Sequence, residues 1–237
     1  MYKVGPVLSI SHGMGIPSAG ILLHEVIKLM YHAGVRDPIF FRIGTCGGIG
    51  LEPGTVVVTE EAVDGRLRPQ LDTIILGRVV SRAAKLDPDL ARSLLATSQQ
   101  EDMFRTVLGK TISTDDFYEG QVSVAEPCGV ESGMCAVQGR LDGAICEYEE
   151  EDKMDYLRAV AEQGVTNMEM EALVSFTTTQ NPAVSDEVAQ VFAALTHMAG
   201  LRSAVVCVTL LDRLKGDQVT TPKEELLAWQ TRPMQVS

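Results

Sequence analysis

The sequence predicts a single α/β domain, and three observations carry that prediction. Short apolar runs of strand type alternate with stretches whose apolar residues recur at helical spacing. Start and stop residues stand at the ends of those stretches, Pro17 and Gly34 around the first, Asp87-Pro88 before the second and Gly164 after the third. With 237 residues, 45% of them hydrophobic, the chain is long enough to bury a sizeable core as one large domain over 1–237.

Taken in order, "VGPVLSIS" (4–11) reads as a strand, "HGMGIPS" as a loop, "AGILLHEVIKLMYHAG" as a helix and "PIFFRIG" as the next strand. This is a βαβ unit, which pairs its strands in parallel and gathers ligands at their C-terminal ends, so the glycine loops 12–16 and 44–50 are expected on one edge of the sheet. "GTVVVTEEAV" is a strand, and "LDPDLARSLLATSQ" a helix capped by Asp87 with Pro88 at its first position. "FRTVLGKTIST" supplies another strand. "EDKMDYLRAVAEQG" is a helix closed by Gly164, "SAVVCVTLL" a buried strand, and "TTPKEELLAWQ" a helix opened by a capping box of Thr221 and Glu224.

Two segments break the rhythm. Residues 122–138, "VSVAEPCGVESGMCAVQ", and 174–190, "VSFTTTQNPAVSDEVAQ", lack periodicity and contain a proline each. The second interrupts what otherwise reads as one helix, "EAL" joined to "VFAALTHMAG". They are equal in length, both begin Val-Ser and both end in Gln, which GT and AG intron boundaries would encode. Two retained introns translated in frame are the expectation, against two authentic surface loops, which loop-closure entropy tolerates.

Composition excludes several classes. A formal charge of −12 without a basic run argues against a nucleic-acid or anionic-membrane surface. The five cysteines, Cys46, Cys128, Cys135, Cys146 and Cys207, are scattered without C-x-x-C spacing, which supports neither a disulfide framework nor a zinc site and fits a reducing cytosol. The four histidines are likewise unclustered. No signal-peptide pattern opens the chain and no apolar run reaches membrane-spanning length, so a cytoplasmic protein is expected.

Residues 41–54, "FRIGTCGGIGLEPG", place an arginine and a threonine where the backbone becomes permissive. Glycines alone indicate a turn. Arg42 and Thr45 beside them are also the parts of an anion cradle, a planar fork of donors and a hydroxyl next to approachable N–H groups. With the two insertions set aside, "SHGMGIPS", "RIGTCGGIGLEPG", "DFYEGQ" joined to "GRLDGA", "NMEMEA" and "TLLDRLKGDQ" stand in order, and together they closely resemble the eukaryotic-type uridine phosphorylases of the nucleoside phosphorylase family.

The resemblance implies a three-layer domain with a central mixed β-sheet flanked by helices, and reversible phosphorolysis of uridine to uracil and ribose 1-phosphate. It implies no cofactor, because inorganic phosphate is the co-substrate, and a homodimer. Arg42 and Thr45 match phosphate-binding positions, with Ile43 and Gly44 between them, and Cys46 and Gly47 match positions lining the nucleoside. Gln121 and Arg140 match the pair that reads uracil, Phe117 the aromatic against the base, Glu171 the carboxylate on the ribose hydroxyls and Met170 the residue beneath the sugar. Arg213 resembles a residue supporting the uracil end. Glu169 is read as a carboxylate stabilising a helix N-terminus, and His12 as a loop-stabilising residue. Asp212 sits where purine-specific relatives use an aspartate to protonate the base, although Gln121 and Arg140 argue for a pyrimidine.

The chain also departs from the family pattern. The resemblance leads one to expect a missing N-terminal region, with its second phosphate-binding glycine and arginine, and segment 122–138 separates Gln121 from Arg140, which must converge on one base. The expectation is a phosphorylase by ancestry whose chain as written turns over no uridine above background. Two alternatives are a non-catalytic nucleoside-binding or dimerising subunit, and a nucleosidase of the same fold using water in place of phosphate.

Overall fold

The computed structural model describes residues 1–12, 15–101, 104–114, 145, 147–169, 189–216 and 219–236. Segment 122–138 and residues 174–188 of the second segment therefore lie outside the described residues.

Five strands form the centre. β3 (Ile39–Gly48) and β9 (Arg202–Asp212) run parallel from Ile39 opposite Arg202 to Gly48 opposite Asp212, with a register shift between Cys46 and Gly47. β4 (Val56–Val63) is antiparallel to β9 and parallel to β7 (Thr106–Ser113). β8 (Val165–Glu169) is parallel to β7 and returns antiparallel to β3 through Gly47 opposite Met168. The mixed sheet thus closes as a barrel in the order β3-β8-β7-β4-β9.

Alternation along the strands divides the packing. Ala204, Val206 and Val208 pack with Val56 and Val58 against Leu90, Ala91 and Leu94 of α2 (Pro88–Glu101). Val205 and Cys207, the intervening positions, pack with Phe40 and Cys46 against Val191–Leu195 of α4 (Ala189–Met198) and against Ala19 and Leu23 of α1 (Gly15–His32). A third cluster joins Ile112, Val165 and Met168 to Leu157 and Val160 of α3 (Glu150–Glu162). Helices flank the sheet on several sides, as the sequence predicts.

Local signals act where they were read. Asp87 Oδ1 accepts from the N–H groups of Asp89 and Leu90 at 2.9 and 3.0 Å, capping α2. Gly34 and Gly164 adopt positive φ just past α1 and α3. α4 begins at Ala189, within the last two residues of the second aperiodic segment.

Three expectations are corrected. Residues 4–11 are not the first strand of a βαβ unit: β1 (Tyr2–Val4) and β2 (Val7–Ser9) form a separate antiparallel hairpin, because Gly5, at φ +54°, turns the chain back with Pro6. Residues 44–48 are strand, the tail of β3, and the chain turns only at Gly50, φ +71°. In the other glycine loop, Gly13 and Met14 lie outside the described residues. The Thr221–Glu224 capping box is absent: Pro222 stays extended (φ −55°, ψ 142°) and itself occupies the cap of α5 (Lys223–Trp229), which shifts the frame by one residue and leaves no side-chain cap. Finally, the hairpin of β5 (Gln70–Ile75) and β6 (Arg78–Ala83) and the short α6 (Arg232–Val236) had no counterpart in the sequence reading.

Candidate active site

β3 carries two clusters, one at Arg42 and one at Gly47 near its C-terminal end. In the first, the Arg42 guanidinium is almost wholly buried and its Nη1 forms an ion pair with Oε2 of Glu169, itself completely buried at the end of β8. Nη1 also donates to Cys207 Sγ at 3.3 Å, and that thiol lies 3.6 Å from Glu169 Oε2 as donor. Burial pulls the Arg42 guanidinium down, but the Glu169 carboxylate and Cys207 outweigh it and hold it above its ordinary value. Burial, then Cys207 and Glu169, pushes the neighbouring Cys46 thiol well up. Arg42 thus stays a cation and Cys46 stays a neutral thiol.

One arm of the fork is fixed while the other is not. Arg42 Nε and Nη2 are buried and have no hydrogen-bond partner among the described residues. Leaving such N–H groups unmet costs about 1–3 kcal/mol each, more when charged, so this buried guanidinium edge calls for an acceptor that the described residues do not supply. An oxyanion satisfies Nε and Nη2 together.

A buried polar row continues from this pair. Thr59 Oγ1 and Thr111 Oγ1 are 2.8 Å apart, and Thr111 donates to Asn167 Oδ1 at 2.9 Å. Asn167 lies two residues before Glu169 on β8 and so shares its face. Glu169, Cys207 and Asn167 were missed as parts of the site. Reading "TNMEM" at strand period would have put Asn167 and Glu169 on one side; Cys207 stands in a uniformly apolar run and gave no signal. Glu169 ends β8 and pairs with Arg42; residues 170–188, where a following helix would start, lie outside the described residues.

The second cluster lies at Gly47. Arg213, also almost fully buried, opens a 3₁₀ turn (Arg213–Lys215) directly after β9, and its guanidinium covers Gly47 so closely that a Cβ there would stand 2.4 Å from Nε and 2.8 Å from Cζ. A side chain at this position would displace the guanidinium from where it lies. Asp212 Oδ1 accepts from Gly50 N–H at 2.9 Å and from Leu214 N–H at 3.1 Å, while Oδ2 faces Lys215 Nζ at 3.5 Å.

Of the residues expected at the site, Arg42, Ile43, Gly44, Thr45, Cys46 and Gly47 are consecutive on β3, and Arg213 joins them across Gly47. Thr45 is buried at an alternate strand position relative to Arg42. Phe117, Gln121, Arg140, Met170 and Glu171 lie outside the described residues. His12 is buried, and its backbone carbonyl accepts the Ser18 hydroxyl at the start of α1. Among the described residues no group of three or more His, Cys, Asp or Glu is placed to hold a metal ion, and no helix is long and apolar enough to cross a membrane.

The chain is similar to known proteins. The family model of the phosphorylase superfamily matches residues 1–181. The chain is 47% identical to mouse uridine phosphorylase 1 over 236 residues, which is 100% of this chain and 65% of that protein, and so spans slightly under two thirds of the relative's length. Among solved structures, a uridine phosphorylase of the oomycete Phytophthora capsici matches with a TM-score of 0.81 and 40% identity over 99% of this chain and 68% of the other. The Schistosoma mansoni uridine phosphorylase in complex with thymine matches with a TM-score of 0.78 and 35% identity over 95% of this chain and 68% of the other. With a buried arginine fork on a barrel strand, a glycine floor beneath a second arginine and likeness along its whole length, the chain belongs to the phosphorylase superfamily, among the uridine phosphorylases.

Proposed function

We propose that this chain carries a uridine phosphorylase site, in which phosphate displaces uracil from uridine to give ribose 1-phosphate. The observation that supports it most directly is the Arg42 guanidinium, pinned through Nη1 by Glu169 and offering Nε and Nη2 without a partner among the described residues. Phosphate bound to that edge presents an oxygen to C1′; as the C–N bond breaks, its electron pair leaves with the base. Donors at the base then gain strength in the transition state, the role assigned to Gln121 and Arg140, with Arg213 behind them. Phe117 packs on the base, Glu171 takes the ribose hydroxyls, Met170 underlies the sugar and Thr45 contacts phosphate and ribose. The complex of the Schistosoma mansoni relative with thymine supports a pyrimidine in this pocket.

No cofactor is needed, since phosphate is itself the second substrate. The proposed assembly is a homodimer in the cytoplasm, where the free thiols of the buried Cys46 and Cys207 persist. A second reading, nucleoside binding without turnover, is favoured by the segment 122–138 standing between Gln121 and Arg140.

The deciding experiment follows uracil release from uridine with and without phosphate. Phosphorolysis requires release that depends on added phosphate and falls at least about 100-fold in Arg42→Ala, the scale of losing one transition-state charge contact. Calorimetric uridine binding without release selects the second reading, and release independent of phosphate selects a nucleosidase.

A further inference from the structure

We propose that Asp212 is a positioning residue that aims the Arg213 guanidinium across Gly47, and that it donates no proton to a base. The proposal rests on the uridine phosphorylase reading only for the identity of the ligand at that end of the site. Its geometry is independent: Oδ1 joins two chain segments, accepting from Gly50 in the turn after β3 and from Leu214 in the 3₁₀ turn after β9. Between those anchor points lies Arg213 itself, and the missing Cβ of Gly47 leaves the slot that its guanidinium fills.

A carboxylate acting as an acid toward a bound base needs a free oxygen aimed at that base. Here Oδ1 is taken by two backbone N–H groups and Oδ2 faces Lys215, with the carboxylate only 3% exposed. Its neighbours fix its direction. Asp212 and Gly47 therefore act through Arg213, the one by drawing its turn against β3 and the other by making room.

The test uses the full chain and two readouts. The first is the side-chain Nε–H resonance of Arg213 in ¹H–¹⁵N spectra, assigned by its loss in Arg213→Lys. The second is calorimetric affinity for uracil and, separately, for inorganic phosphate. In Asp212→Ala and in Gly47→Ala the Arg213 resonance moves to the exposed-arginine position, and uracil affinity falls about tenfold, the size of one hydrogen bond to a charged group, while phosphate affinity is retained. Asp212→Asn keeps an acceptor oxygen for both N–H groups and preserves the resonance and most of the affinity; it also serves should Asp212→Ala fail to fold.

An unchanged Arg213 resonance in Asp212→Ala and Gly47→Ala overturns the proposal, as does an Asp212→Asn protein as impaired as the alanine variant. Equal losses of phosphate and uracil affinity overturn it too, because they indicate general damage. Should the native chain bind no uracil while the resonance responds as described, the substrate reading fails and the positioning role stands.

Discussion

Arg42 and Glu169 are a pair in which each partner justifies the burial of the other. Taking a guanidinium and a carboxylate out of water costs several kcal/mol per ion, and what offsets it is their mutual contact together with the Cys207 thiol between them. Removing one partner strands the other, so Glu169→Leu and Arg42→Met are each expected to lower stability by about 3–5 kcal/mol, whereas the double variant Arg42→Met/Glu169→Leu loses less than the sum of the single changes. Urea midpoints of the four proteins in that cycle check it; additive losses would mean that the pair is not coupled. The arginine was legible in the sequence because Arg-Ile-Gly-Thr is a compact motif on one strand. Its carboxylate was not, since the partner lies 127 positions away and adjacency in "NMEMEA" drew attention to Glu171. Gly47 and Arg213 were both named, but their mutual contact follows from the way β3 and β9 end side by side, which no local pattern encodes.

At the scale of elements, one aspartate joins a helix to the sheet. Asp87 Oδ1 caps α2, and Oδ2 accepts from Arg202 Nε at 2.5 Å at the start of β9. Arg202 foremost, then the Leu90 N–H, holds the Asp87 carboxyl below its ordinary 3.8. A lowered folded-state value means that the unfolded chain takes up the proton first as pH falls, so this stabilisation is complete above the ordinary carboxylate range and is lost as pH drops through the lowered value. Asp87→Ala is expected to cost about 1 kcal/mol at neutral pH, the usual worth of an N-cap. Asp87→Asn, which keeps a capping oxygen but not the charge, costs less and loses part of the acid sensitivity; thermal melts between neutral pH and pH 3 measure both. Such caps were legible because their signal is local: Asp87-Pro88, Gly34 and Gly164 each decide a boundary by their own backbone chemistry. Gly5 was equally local and was overlooked, as was Leu76-Gly77, where two successive positive φ values turn the β5–β6 hairpin. Barrel closure was not legible, because it depends on β8 meeting β3 and β4 meeting β9, pairings between segments far apart in the chain.

For the molecule as a whole, the proposed phosphate site would have to capture an anion against the field of a protein with formal charge −12. Long-range repulsion lowers the local concentration of phosphate, and salt screens that repulsion beyond a Debye length of about 8 Å near physiological ionic strength. The contact at Arg42 is different in kind, since it is buried and little screened. Ligand that binds only the folded barrel stabilises all of it, by about 2.7 kcal/mol at one hundred times the dissociation constant, or about 5–11 °C in melting midpoint for a chain of this size. Phosphate is therefore expected to raise the melting temperature in a saturable manner, and at a fixed subsaturating phosphate concentration sodium chloride is expected to increase the shift beyond its effect on the phosphate-free protein. Arg42→Ala should melt at one temperature with and without phosphate. Salt that weakens the shift would mean that phosphate is held by exposed surface cations, and an Arg42→Ala protein that still responds would place the anion elsewhere on the molecule.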